Sequence, residues 1–190
     1  MNLNQNLIIT YSNQKARELK KSLKNPLDKV VTLSAFVNEF FEKHSFKTLI
    51  KPIIATSYIY KTIKNENIEY LDFISQNSNT LDLIYDFILK INASKVDLSK
   101  ILKDEKLKAI ELLNSKYIEF KNKNNLVDSN DIFQLAINDF NKNDFSKYEK
   151  IYLDNFEIEN IKLYRSNLEL ELINLFSKIS IPLEQTINTN

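Results

Sequence analysis

Across its 190 residues this chain contains no glycine. A phosphate-binding loop of the G-x-x-x-x-G-K-[ST] type needs glycines so that its backbone N–H groups can turn inward around the phosphates. That loop is therefore absent. Cysteine is missing as well, and His44 is the sole histidine. Soft metal sites and nucleophile systems built on cysteine or histidine are nearly excluded, and neither a metal nor a cofactor is expected. His44, in "FFEKHSFK", reads as a solvated or capping residue at a helix end.

The length suits one domain, or one domain carrying a sizeable insertion. It lets roughly 70% of the unfolded surface be buried without metals or disulfides. Charge is nearly balanced, 26 basic against 25 acidic residues, so no global field advertises nucleic acid, although a local basic face is compatible with this balance. Arginine occurs only at Arg17 and Arg165. The excess of lysine and asparagine is that of an AT-rich genome. Arg17, beside Glu18 and Lys21, reads as a surface charge. No apolar run approaches the roughly 18 residues needed to cross a bilayer, and "MNLNQNLIIT" lacks the order of a signal peptide. A cytoplasmic address with no membrane partner is the expectation.

"NLIITYS" (6 to 12) predicts a buried strand through Leu7, Ile8 and Ile9. Ser12 or Asn13 can cap the helix that follows, whose Ala16, Leu19 and Leu23 recur at helical spacing. Val30-Val31-Thr32 predicts a second strand, leading into a helix with Phe36, Phe40 and Phe41 on its inner face. Two β-then-α units in forty residues suggest a parallel α/β sheet. From residue 45 to about 142 the pattern is helical throughout. Within it Ile110, Leu113, Tyr117 and Phe120 form one buried stripe. The aromatics fit core better than base-stacking platforms. The α/β character returns with Ile151-Tyr152-Leu153, a helix from about 158 to 178, and "ISIPLEQTI", where Pro182 argues for an edge position or a strand start. The expected organisation is a first α/β part at 1–45, a helical insertion at 46–125, and a return to the sheet at 126–190. The chain stops straight after its last candidate strand, which suggests the front part of something longer.

"IYLDNFEIEN" (151 to 160) places Asp154 at the end of a strand, where a nucleotide hydrolase keeps the acid that holds its magnesium. Asn155 follows where such an enzyme wants a carboxylate, and it cannot accept a proton. Glu157 is a carboxylate, but it points elsewhere unless the loop is rebuilt. Alternatively, Asp154 caps the helix expected near Ile158 or ends the strand as a turn residue.

Four segments in order resemble the first ATPase-type domain of the UvrD/Rep class of superfamily 1 helicases. "IITYSNQKARELKKSL" is similar to their motif Ia strand and helix, and "VVTLSAFVNEFF" to the T-x-H-S-F stretch, with Ser34 and Phe36 kept and the histidine gone. "YIEFKNKNNLVDSNDIFQLAI" resembles the segment before motif II. "IYLDNFEIEN" resembles motif II, V-D-E-F-Q-D-T-N. Within that class the chain looks most like AddB-type subunits of helicase-nuclease complexes, which resect double-strand breaks for recombinational repair.

The resemblance implies a RecA-like (P-loop-NTPase-like) parallel sheet with a large helical insertion and no phosphate loop. It also implies a segment inactive as a motor, a PD-(D/E)XK nuclease domain beyond these residues, and an AddA-like partner subunit. In the helicase family the motif Ia loop touches the backbone of single-stranded DNA, and Ser12, Asn13 and Lys15 match that loop. A hydroxyl, an amide and an ammonium at a helix start are reasonable phosphate partners. Equally, Ser12 or Asn13 is an ordinary cap and Lys15 a solvated charge. Asp154, Asn155 and Glu157 then form a degenerate motif II with no catalytic residue. The competing expectations are a helical protein-interaction module without a nucleic-acid role, and an active NTPase with a non-standard site, which the missing glycines oppose.

Overall fold

The structure, a computed structural model, describes residues 5–72, 76–94, 104–143, 145–154, 156 and 165–182. It is an α/β protein, mostly helical, with a small parallel sheet, and it divides into two compact units. One comprises residues 1–45 and 132–190 and the other residues 46–131. The sequence reading placed the return to the first unit at 126.

The first unit holds β1 (Leu7–Thr10), α1 (Asn13–Ser22), β2 (Lys29–Thr32) and α2 (Leu33–His44). After the second unit come β5 (Ile151–Asp154), α8 (Asn167–Ser177) and β6 (Ile181–Pro182). The strand order is β2-β1-β5-β6, and every neighbouring pair is parallel. Pro182 lies in β6, the outermost strand on that side among the described residues, in keeping with the edge position its missing N–H favours. Ile8 is in register with Val30 on one side and Tyr152 on the other. These three residues make a row that packs with Ala16 and Leu19 of α1 and with Leu23 just after it. By strand alternation Leu7 and Ile9 face the opposite side; both are buried. An aromatic cluster gathers in this unit, with the Phe176 ring edge-on to Phe36, Phe140 and Phe145.

The helix expected over about 158–178 is not continuous: its part before residue 165 lies outside the described residues, and a helix starts at Asn167. Ser166 is its N-cap, in a reciprocal capping box with Glu169. That arrangement satisfies two otherwise orphaned backbone donors, and Arg165 and Ser166 lie outside the helix. Residues 157–164 lie outside the described set.

The second unit contains β3 (Thr48–Leu49), α3 (Pro52–Asn65), α4 (Glu69–Asp72), α5 (Ser78–Ser94), α6 (Glu105–Lys123) and β4 (Leu126–Val127). From it α7 (Ser129–Asn138) carries the chain onward. The region is not helical throughout, because β3 and β4 form a short parallel ladder, Thr48 with Leu126 and Leu49 with Val127. Ile59, Ile63, Ile88, Leu113 and Tyr117 centre its apolar core. Ile110, Leu113 and Tyr117 are buried as the stripe predicts, while Phe120 packs on the core half-buried.

One charged cluster escaped the sequence reading. Asp128 accepts the backbone N–H groups of Asn130 and Asp131, and the Asp131 carboxylate accepts that of Asp128. Lys121 donates to both carboxylates at 2.6 Å. Burial pushes the Lys121 ammonium's pKa down, but the two aspartates outweigh it and hold that pKa above the ordinary lysine value. Breaking one partner of such a buried pair typically costs about 3–5 kcal/mol.

Lacking glycine, the chain assigns left-handed backbone to asparagine. Among the described residues Asn67 (φ 49°) and Asn125 (φ 55°) hold positive φ. Asn67 follows α3 in a Schellman arrangement. The Ile68 N–H donates to the Ile63 carbonyl at 3.1 Å and the Asn67 N–H to that of Lys64 at 3.4 Å, while Ile63 and Ile68 share the core. Asn67→Ala is expected to lower the unfolding free energy in urea by about 1 kcal/mol, because a Cβ without a local hydrogen-bonding group is penalised there. Asn67→Gly is expected to stay within about 0.5 kcal/mol of the parent.

Glu39, on α2, is held by Lys29 and Lys43. Hydrogen bonds from Lys29 and then Lys43 lower its pKa to about 2. A carboxyl depressed in the folded state adds stability above its unfolded pKa, near 4.5, and loses it as pH falls through the folded value. The stability difference between the parent and Glu39→Gln, followed by urea unfolding, is therefore expected to be full at pH 6. It should shrink below pH 4.5 and vanish near pH 2.

Candidate functional site

In a parallel sheet all strands deliver their carboxyl ends to one edge. Here the connection from β1 leads to β2 on one side, and the chain from β5 leads to β6 on the other. Connections that diverge in this way leave a crevice between the two central strands at that edge, the usual place for a ligand in open α/β sheets. This switch point lies between Thr10, which ends β1 and is followed by Tyr11 and Ser12, and Asp154, which ends β5.

Thr10 and Asp154 are register partners. Both are buried, and the Thr10 hydroxyl donates to Asp154 Oδ2 at 2.8 Å. A carboxylate withdrawn from water needs such donors. Asp154 is thus the last residue of its strand and bonds sideways to β1, whereas Ser166 caps α8. Asn155 and Glu157 lie outside the described residues. Among the described residues no three histidine, cysteine, aspartate or glutamate side chains converge to hold a metal ion.

Ser12 is the N-cap of α1, its hydroxyl oxygen accepting from the Lys15 backbone N–H at 3.1 Å. Asn13 opens the helix exposed to solvent and Lys15 is half-buried. The structure therefore brings Ser12, Asn13 and Lys15 together at the start of α1, two residues or more beyond the Thr10–Asp154 pair. The cap accounts for the Ser12 oxygen. The Asn13 side chain and the Lys15 ammonium are the groups at this helix start suited to an anion.

Arg165 is a residue at this edge that sequence reasoning missed. Its guanidinium donates to the Tyr11 carbonyl at 3.1 Å and pairs with Glu169 at 2.8 Å. It also lies 5.9 Å from the centroid of the buried Phe156 ring. It ties the loop after β1 to the start of α8. The S-x-x-E spacing of Ser166 and Glu169, with an arginine four residues before that glutamate, was the available signal.

A double-mutant cycle on Thr10→Val and Asp154→Asn measures the central contact. Each single change is expected to cost about 1–3 kcal/mol in urea unfolding, because it leaves a buried polar group short of a partner. A coupling energy of at least about 0.5 kcal/mol is expected.

No protein-family model matches this chain, and no curated protein matches it.

Proposed function

We propose that this chain is a catalytically silent, RecA-like, helicase-like domain of an AddB-type DNA-repair helicase-nuclease subunit. In this reading it acts as a scaffold for an AddA-like partner and as a contact for single-stranded DNA. The supporting observation is one of topology. The two strands that carry the motif-like segments, β1 and β5, are the neighbouring central strands of a parallel sheet, and a compact, mostly helical unit is inserted between them. A strand-end aspartate beside a strand-end threonine is the arrangement a motif II aspartate would keep after its phosphate cradle was lost. With no glycine to build that cradle, and each such part worth orders of magnitude in rate, ATP turnover is not part of the reading.

Exposed apolar side chains on the second unit favour a second reading, a protein-interaction module without a nucleic-acid role. Ile53 and Ile54 on α3, and Leu83 and Phe87 on α5, are exposed. Side chains of this kind suit a protein interface and offer nothing to a phosphate.

Fluorescence anisotropy with a short labelled deoxythymidine strand separates the two. The helicase-like reading expects weak binding at low salt, a log-log salt slope of about −0.7 per neutralised phosphate, a weaker complex for Lys15→Gln, and no ATP hydrolysis above background. Absence of binding at low salt supports the interaction module. ATP hydrolysis abolished by Asp154→Asn would overturn both.

A further inference from the structure

At the opposite, amino-terminal edge of the sheet lies a cleft of about 250 Å³. It is bounded by the start of β2, the last turns of α2 and the segment that leads into β5. Lys29, Lys43, Lys142 and Lys147 line it, with Glu39 as its one acidic group. Four lysines against one glutamate give this cleft more net positive charge than the whole chain carries, +1. The excess persists when Asp139, which holds Lys142 at 2.8 Å, is counted. Lys29 and Lys43 share the single Glu39 carboxylate, so one carboxylate faces two ammoniums, and its depressed pKa reports the positive surroundings. Such a concentration within a balanced chain favours an anion.

The walls add a second requirement. Phe36 forms part of the floor, its ring stacked on that of Phe145 at 6.3 Å. Tyr148 lines the cleft half-buried, with the Lys147 ammonium 5.0 Å from its ring centroid. A flat ring beside ammonium groups suits a ligand that is itself part planar ring and part phosphate. The volume lies below the roughly 300–1,000 Å³ of pockets that enclose a whole drug-sized ligand, so the cleft fits a single small unit.

We propose that this cleft binds a nucleoside phosphate, with Lys43, Lys147 and Lys142 as phosphate partners and the Tyr148 ring as the stacking surface for the base. The unit is either a free mononucleotide or one residue of a nucleic-acid strand. This site is separate from the start of α1 and does not depend on the helicase-like reading.

The test measures binding of adenosine monophosphate, of inorganic phosphate and of a short labelled deoxythymidine strand at low salt. The variants are Lys43→Gln/Lys147→Gln, Tyr148→Ala, Tyr148→Phe, and Lys20→Gln/Lys21→Gln on α1 as a control, each checked for unchanged circular dichroism. The lysine pair is expected to lose about tenfold or more in affinity and to flatten the salt slope for the strand by about 1.4. Tyr148→Ala should lose about fivefold or more, and Tyr148→Phe should restore binding. Adenosine monophosphate bound without the strand identifies a free nucleotide, and both bound identifies a strand unit; either supports the proposal. It is overturned if no probe binds, if the cleft variants bind like the parent, if inorganic phosphate binds as tightly as adenosine monophosphate, or if polyglutamate displaces it equally well. Strand binding lost in Lys15→Gln alone overturns this cleft and leaves the preceding reading standing. Binding lost in the cleft variants alone supports this cleft and removes Lys15 as the strand contact.

Discussion

The first unit depends on one long-range pairing, β1 against β5. Thr10 and Asp154 are neighbours across a separation of 144 residues, and without that ladder β1–β2 and β5–β6 are two-stranded ribbons, marginal in water on their own. The entropic cost of closing so long a connection grows only slowly, by about 0.6 kcal/mol per doubling of length. The intervening chain also does not behave as a loop. It folds on its own core, and the β3–β4 ladder holds its entering and leaving strands side by side. A folded insertion whose ends are already adjacent costs the sheet far less than a disordered one of the same length.

The second unit's exit is secured by charge. Lys121 at the end of α6 meets the reciprocal cap of α7, so one ammonium fixes both where α6 stops and where α7 starts. Between them Asn125 supplies the left-handed step. A buried ion pair at an exit is weak evidence for net stability, but removing either partner alone would leave a costly orphan.

The elements with strong local signatures were legible in the sequence. Leu7–Ile9 and Ile151–Leu153 are unbroken apolar runs and became the central strands; Ile110, Leu113 and Tyr117 became a buried stripe; Pro182 fell on the edge. What escaped were features set by contact. The two-residue strands β3 and β4 have no periodicity to read, because Thr48 and Leu49 are exposed and their pairing comes from partners 78 residues away. The break at Arg165 and Ser166 was missed because the apolar spacing runs through it, while the capping box of Ser166 and Glu169 sets the start of α8. At the candidate site Asp154 was legible as a strand end, but its partner Thr10 was not. Register is a property of two strands together, and a lone threonine after Ile8-Ile9 carries no mark of what it will face.

The two edges of the small sheet carry opposite chemistry, and the reason lies in what each is built from. Among the described residues of the carboxyl edge, several polar groups are engaged internally: Thr10 on Asp154, the Ser12 oxygen on α1, Arg165 on Tyr11 and Glu169. Those contacts hold the carboxyl ends of the two central strands together. At the amino edge the lysines outnumber their carboxylates, and Glu39 can neutralise only part of the charge around it. Self-repulsion among those ammoniums is relieved either by counterions or by a ligand. The strand-end aspartate that a motif singled out is bonded within the sheet, while the surface with the excess of lysines lies where no motif drew attention.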